Sequence, residues 1–288
     1  MGARTVILPP RPTQLHRRLA IIPGNTCNSR MRLILRPLLP LLIVLTLVSA
    51  CAPVPERNPM AQWVASSNHD QRRPVLIVIH ATEQDSVERS LRTLRSENSQ
   101  GPVSAHYLIG RDGSLYQLVA DDRRAWHAGG GRWGTITDLN SASIGIELDN
   151  NGASTFPPEQ IQALVRLLED LCHRHHIPRT QVIAHADLAP TRKRDPNASF
   201  PWQALAAAGF GLWPRSDAPP APEGFDPWLA LAAIGYPLDD PQAALRAFQR
   251  RFRGIEAPLT PEAVPQAPAA EDARILHDLV QQLNPALP

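Results

Sequence analysis

Val75-Leu76-Ile77-Val78-Ile79 is a run of five apolar residues that stops at His80. A strand with one face in water alternates apolar and polar residues, so a run without alternation reads as a central strand buried on both faces. Such a strand needs helices to cover it, which points to an α/β fold.

The neighbouring segments supply both kinds of element. Asp85-Ser-Val-Glu88 reads as a capping box that opens a helix, with Val87, Leu91 and Leu94 at helical spacing. Residues 105–109 and 115–119 read as two strands around the turn Arg111-Asp112-Gly113. In residues 143–148, Ile144, Ile146 and Leu148 share one face, and Gly145 and Glu147 the other. Pro158 suits the first turn of a helix whose apolar face carries Ile161, Leu164, Leu168 and Leu171. A short strand over 181–184 ends at His185, and 202–209 reads as a last short helix. The expected fold is a mixed central sheet covered by helices over residues 73–213.

Proline divides the rest of the chain. The 30 prolines crowd the first sixty residues, 214–227 and 258–268, and proline-rich runs read as linkers. Residues 214–223 are the expected linker to a small all-α module at 224–288. There Asp226-Pro227 and Asp240-Pro241 look like helix starts, and Arg250, Arg251 and Arg253 look like a solvated face.

Residues 31–51, MRLILRPLLPLLIVLTLVSAC, have a basic start and an apolar stretch too short for an easy bilayer span, which is the pattern of a secretory signal. Leu47-Val48-Ser49-Ala50-Cys51 resembles a bacterial lipobox. Residues 1–50 are then a leader, with Met31 as an alternative start, Cys51 is the lipidated residue, and 51–72 form a polar tether. Ala52 resembles residues that permit export to the outer membrane, so the expected location is its periplasmic side. The leader holds seven arginines and no acidic residue; without it 22 basic residues face 27 acidic ones, so a nucleic-acid partner is not expected. Cys172 is the thiol left over once Cys27 is removed and Cys51 lipidated; it reads as a core residue. The oligomeric state is open, with a monomer favoured.

His80, His185 and Asp195 offer two imidazoles and a carboxylate, the composition of a three-ligand zinc set with a fourth position open to water. Spacing alone leaves this open against ordinary histidines. The segments VIHAT, VSAHYLIGRDG, RAWHAG, SIGIEL and HADLAPTRKRDP, in this order, resemble the type 2 N-acetylmuramoyl-L-alanine amidases over about residues 73–205. The resemblance implies hydrolysis of the amide between N-acetylmuramic acid and L-alanine in peptidoglycan or muropeptides. It assigns Zn2+ to His80, His185 and Asp195, the proton-handling carboxylate to Glu147, and the oxyanion-stabilising cation to Lys193. It also makes 224–288 similar to the peptidoglycan-binding modules of such enzymes. Ala105 stands where some relatives carry a tyrosine, which leaves Glu147 to handle the proton alone. Asp195-Pro196-Asn197 replaces the usual Asp-Pro-Gly, with Asn197 expected to take the left-handed turn.

His127, Trp126 and Asn140 are candidate substrate contacts, although His127 fits a loop role nearly as well. Trp126 and Trp133 beside Gly129-Gly130-Gly131 suggest a groove wall. His173, His175 and His176 read as a solvated helix end rather than a second metal site. The rival reading is a peptidoglycan-recognition protein that binds wall fragments without cleavage. Such relatives lack a metal ligand, whereas all three ligand positions match here.

Overall fold

The computed structural model describes residues 57–71, 74–96, 101–256 and 267–284. The leader and Cys51 lie outside the described residues. The elements are β1 (Gln62–Trp63), β2 (His69–Gln71), β3 (Leu76–Ala81), α1 (Val87–Arg95), β4 (Tyr107–Ile109), β5 (Leu115–Gln117), β6 (Arg123–Ala125), α2 (Leu139–Ala142), β7 (Ser143–Leu148), α3 (Pro158–His175), β8 (Val182–Ala184), α4 (His185–Leu188), α5 (Trp202–Ala207), α6 (Pro227–Ile234), α7 (Pro241–Arg253) and α8 (Ala270–Leu283).

The main sheet is mixed, with strand order β1-β5-β4-β7-β3-β8. β3 pairs in parallel with β7 on one side and β8 on the other, and β4 meets β7 in parallel and β5 antiparallel. Every residue of β3 is buried, as its unbroken apolar run requires. α3 covers the sheet with Ala163, Leu164, Leu167, Leu168, Leu171 and Cys172. Cys172 is a free, buried thiol, its pKa raised by burial to about 11.

Local departures from the sequence reading have physical causes. The cap of α1 is Ser86, whose side chain accepts from the Arg89 N–H, and Asp85 pairs with Arg89 instead. The segment expected as a tether is part of the fold from residue 57 onward. β1 pairs with β5, and the buried Asn58 donates its side-chain amide to the Asp170 carboxylate, accepts the Met60 N–H on its side-chain oxygen and gives its backbone N–H to the Gln117 side chain. The segment is polar because its partners are polar. At the end of α3, His176 takes the left-handed conformation and His175 bonds Asp121.

The helices after the linker share the core of the sheet domain. One hydrophobic cluster contains Ile183, Ala184 and Leu188 together with Tyr236, Phe248 and Leu276. Arg251, expected on a solvated face, is 4% exposed. It pairs with the fully buried Asp187, bonds the Val182 carbonyl at 3.0 Å and stacks on Trp202. Arg250 is buried as well, against Glu256, and Arg253 reaches Asp272. Tyr236 donates to the other Asp187 oxygen at 2.7 Å. The sequence hides these pairings because Arg251 and Arg253 find their counter-charges in other elements, and Glu256 lies just past the end of α7.

Breaking one partner of a buried pair strands the other charge, at a cost of about 3–5 kcal/mol. Arg251→Ala should therefore destabilise α4 and the C-terminal helices together, seen by calorimetry as one transition shifted down. Two separate transitions, with the one for residues 74–213 unmoved, would contradict the shared core.

Candidate metal centre and catalytic cleft

The parallel register sets the site. His80 stands opposite Glu147 on β7, and Ile79 opposite Ala184 on β8. His80, Glu147 and the residue after β8, His185, thus reach the same C-terminal edge of the sheet. Open α/β sheets offer their ligand crevices at that edge. α4 carries His185, and its Ala186 N–H bonds the Asp195 carbonyl at 2.9 Å, which draws the returning loop alongside. Lys193 and Asp195, two residues apart, line the same cleft of about 470 Å3, while Arg194 between them pairs with Glu256.

Three donor atoms converge in this cleft. His80 Nδ1 lies 2.9 Å from His185 Nδ1 and 3.3 Å from Asp195 Oδ2, and His185 Nδ1 lies 3.1 Å from the same oxygen. All three residues are buried. These spacings match the edges of a tetrahedron with metal–ligand bonds of about 2.0 Å, which are roughly 3.3 Å long. The chemistry of the donors fits a divalent cation. His185 Nε2 faces the Ala128 carbonyl at 3.0 Å, and a carbonyl only accepts, so Nε2 carries a proton and Nδ1 is the nitrogen left for a metal. Burial and the neighbouring His185 lower the His80 pKa to about 4, so the His80 ring is neutral. Asp195 is buried beside these rings, and its carboxylate would be the anionic donor of the set.

Glu147 sits beside this cluster with its Oε2 buried and unpartnered. Burial, and then the Asp195 charge, push its pKa up to about 8. A buried carboxylate without a partner is costly, and perturbed groups of this kind mark functional sites.

Of the remaining candidates, Trp126 and His127 line the cleft. Asn140 lies beneath them: its side-chain oxygen accepts the N–H groups of His127 and Ala128 at 3.0 and 2.8 Å. Trp133 forms no groove wall; it is buried against Tyr236 and Gly235. Asn197 holds its turn through its side chain, which accepts from Ser199 N and donates to the Gly152 carbonyl, and not through a left-handed backbone. His106, expected in a strand, lies just before β4, held by the Gly145 N–H and the Arg123 carbonyl. Sequence reasoning missed Glu83, which takes φ 50 at the rim of the cleft, a strained value that nothing in its residue type announces. It also missed the role of Gly145. A Cβ there would stand 2.4 Å from His127 Cγ, and a lone glycine inside a strand is the signal for such a close approach.

The N-acetylmuramoyl-L-alanine amidase family model matches residues 70–198. The 1,6-anhydro-N-acetylmuramyl-L-alanine amidase AmpD of Enterobacter cloacae is 31% identical over 166 residues, which cover 51% of this chain and 89% of AmpD. The chain belongs to the N-acetylmuramoyl-L-alanine amidase family. Another amidase of the family, AmiD of Escherichia coli, is 44% identical over 156 residues, covering 48% of this chain and 54% of AmiD. The matched stretch thus spans about half the length of that relative. The AmiD structure, a complex with the substrate anhydro-N-acetylmuramic acid-L-Ala-D-γ-Glu-L-Lys, superposes with a TM-score of 0.62 at 33% identity over 79% of this chain and 93% of its own. AmpDh3 of Pseudomonas aeruginosa, in complex with anhydromuramic pentapeptide, gives 0.60 at 29% identity over 81% and 97%. The amidase fold shared with these structures includes the mixed sheet that carries His80 and Glu147 and whose last strand leads into His185.

A carboxyl whose folded pKa lies above its unfolded value destabilises the fold wherever it ionises, from about 4.5 upward and fully above about 8. Metal-free Glu147→Gln should therefore melt several degrees higher than metal-free wild type at about pH 9. The gap should close as the pH falls below about 4.5. Thermal melts of the two proteins across this range check the expectation; a gap independent of pH would contradict it.

Proposed function

We propose that the chain is a zinc-dependent amidase that hydrolyses the bond between N-acetylmuramic acid and L-alanine in peptidoglycan or muropeptides, in cell-wall turnover and recycling. The observation that carries this reading is the Glu147 carboxylate, its Oε2 buried and unpartnered, beside three converging donors in an open cleft. The muropeptide ligands of the AmiD and AmpDh3 structures support the substrate class.

His80, His185 and Asp195 would hold the zinc ion. When bound it supplies a Lewis acid for the scissile carbonyl and makes a neighbouring water more acidic. The residues of this chain do the rest. Glu147 takes a proton from the attacking water and returns it to the departing amine of L-alanine, so that water and amide become carboxylate and amine. Its raised pKa suits both halves of that exchange at neutral pH. Lys193, on the same side of the loop as Asp195, sets a cation beside the oxygen on which negative charge develops. Trp126 and the rim residues Thr82 to Gln84 border the space for the sugar and the stem peptide.

Mass spectrometry of digested muropeptides tests the reading directly. The expected products are the intact sugar and a stem peptide that begins at L-alanine; cleavage within the peptide, or none by zinc-loaded protein, would overturn it. Glu147→Gln should lose ~10²–10⁴-fold in turnover while zinc content and KM stay near normal. Lys193→Met should likewise lower kcat rather than binding. Wild-type turnover in Glu147→Gln would remove it from the mechanism.

We propose further that lipid on Cys51 anchors the enzyme to the periplasmic side of the outer membrane. No described helix is long and apolar enough to cross a membrane, and an acyl chain contributes about 0.8 kcal/mol for each buried methylene. Cys51→Ser should move the protein from the membrane pellet to the soluble periplasmic fraction. Retention in the pellet would contradict the anchor.

A further inference from the structure

The Trp126–Gly129 turn touches both histidine donors from behind. His185 Nε2 faces the Ala128 carbonyl at 3.0 Å, and His80 Nε2 faces His127 Nδ1 at 3.0 Å. The first contact has one polarity, because the carbonyl only accepts. The second lies between two imidazoles, so its polarity must come from further along the chain of bonds.

That chain ends on a second carbonyl. Ser143 Oγ is 2.5 Å from the Leu139 carbonyl, so the hydroxyl proton is given to Leu139. His127 Nε2 lies 3.3 Å from the same hydroxyl oxygen, which is left to accept. His127 therefore carries its proton on Nε2 and presents a bare Nδ1 to His80. His80 in turn carries its proton on Nε2 and turns a bare Nδ1 toward Asp195 and His185.

We infer that His127 and the Ala128 carbonyl are the positioning groups of the metal centre, each accepting a hydrogen bond from the Nε2–H of one histidine so that both Nδ1 lone pairs point inward. This rests on the metal-centre reading above and adds to it a cause for the ligand geometry. A ligating histidine whose other ring nitrogen is held by an acceptor is fixed in both tautomer and orientation.

Two independent features show that the turn is built for this task. The His127 ring lies on β7 at Gly145, where a Cβ would come within 2.4 Å of its Cγ and 2.6 Å of its Nδ1. Ser143, Gly145 and Glu147 stand on one face of that strand, so the only side chain missing from the row is the one the imidazole replaces. Asn140 accepts the backbone N–H groups of His127 and Ala128, which holds the ring and the carbonyl at a fixed separation. His127 is thus a positioning residue, acting through His80.

The test uses the full chain and Zn2+ as the probe, with affinity measured by chelator competition. Side-chain tautomers are read from two-bond ¹⁵N–¹H NMR correlations in the metal-free protein. His127→Leu should weaken zinc binding by roughly 10–100-fold and turn His80 into a mixture of tautomers, with His185 left as the Nε2–H form. His127→Asn, whose carboxamide oxygen falls near the lost Nδ1, should recover most of the affinity. Gly145→Ala keeps the imidazole but displaces it, and should weaken binding as well. Affinity for His127→Leu within about twofold of wild type, or an Nδ1–H tautomer for His80 in the wild type, would overturn the inference. A wild type that binds no Zn2+ would instead overturn the metal reading, and the tautomer spectra would still judge the bond chain by themselves. If a variant fails to fold, the wild-type spectra decide.

Discussion

The parallel pairing of β3 with β7 and β8 is the constraint on which the rest of this protein depends. Three strands buried on both faces cannot place polar groups along their length, so polar chemistry collects where the strands end. His80, Glu147 and His185 all occupy that edge, in register. Everything else at the site is brought to them. α4 turns His185 inward, the Asp195 carbonyl is tied to Ala186, and the Trp126–Gly129 turn closes from behind. The unpartnered Glu147 oxygen is the cost of this arrangement, and it is tolerated because the strand that carries it is pinned on both sides. Sites with such local penalties belong to function rather than stability.

Stability comes in part from segments that look unrelated to chemistry. Asp187 accepts the Ala184 N–H at 2.9 Å, one residue before His185, and is itself held by Arg251 of α7 and by Tyr236 just after α6. The position of a proposed metal ligand is thus set partly by α7, more than sixty residues later in the chain. The linker at 214–223 separates these parts in sequence but not in the core.

Much of this was legible in the amino-acid sequence. The five-residue apolar run gave β3, the alternation over 143–148 gave β7 with Glu147 opposite its apolar face, and the proline-led starts at Pro158, Pro227 and Pro241 are where helices begin. The residues of HADLAPTRKRDP and VIHAT do meet in one cleft. What stayed hidden has a common cause. β1, β2 and β6 have two or three residues each, too few to show a period. The buried arginines of α7 look solvated until Asp187, Glu256 and Asp272 are seen beside them. Gly145 reads as an ordinary strand residue and Asn140 as a substrate contact, because their partner, His127, is brought to them only by the fold.

The central claim is that three bare donor atoms from distant segments converge on one cation. Zinc K-edge X-ray absorption of the loaded full chain, with the metal quantified per chain, tests it most directly. The account predicts one zinc per chain, coordinated by two imidazoles with oxygen in the remaining positions. Substoichiometric zinc, or a spectrum with one imidazole or none, would contradict it.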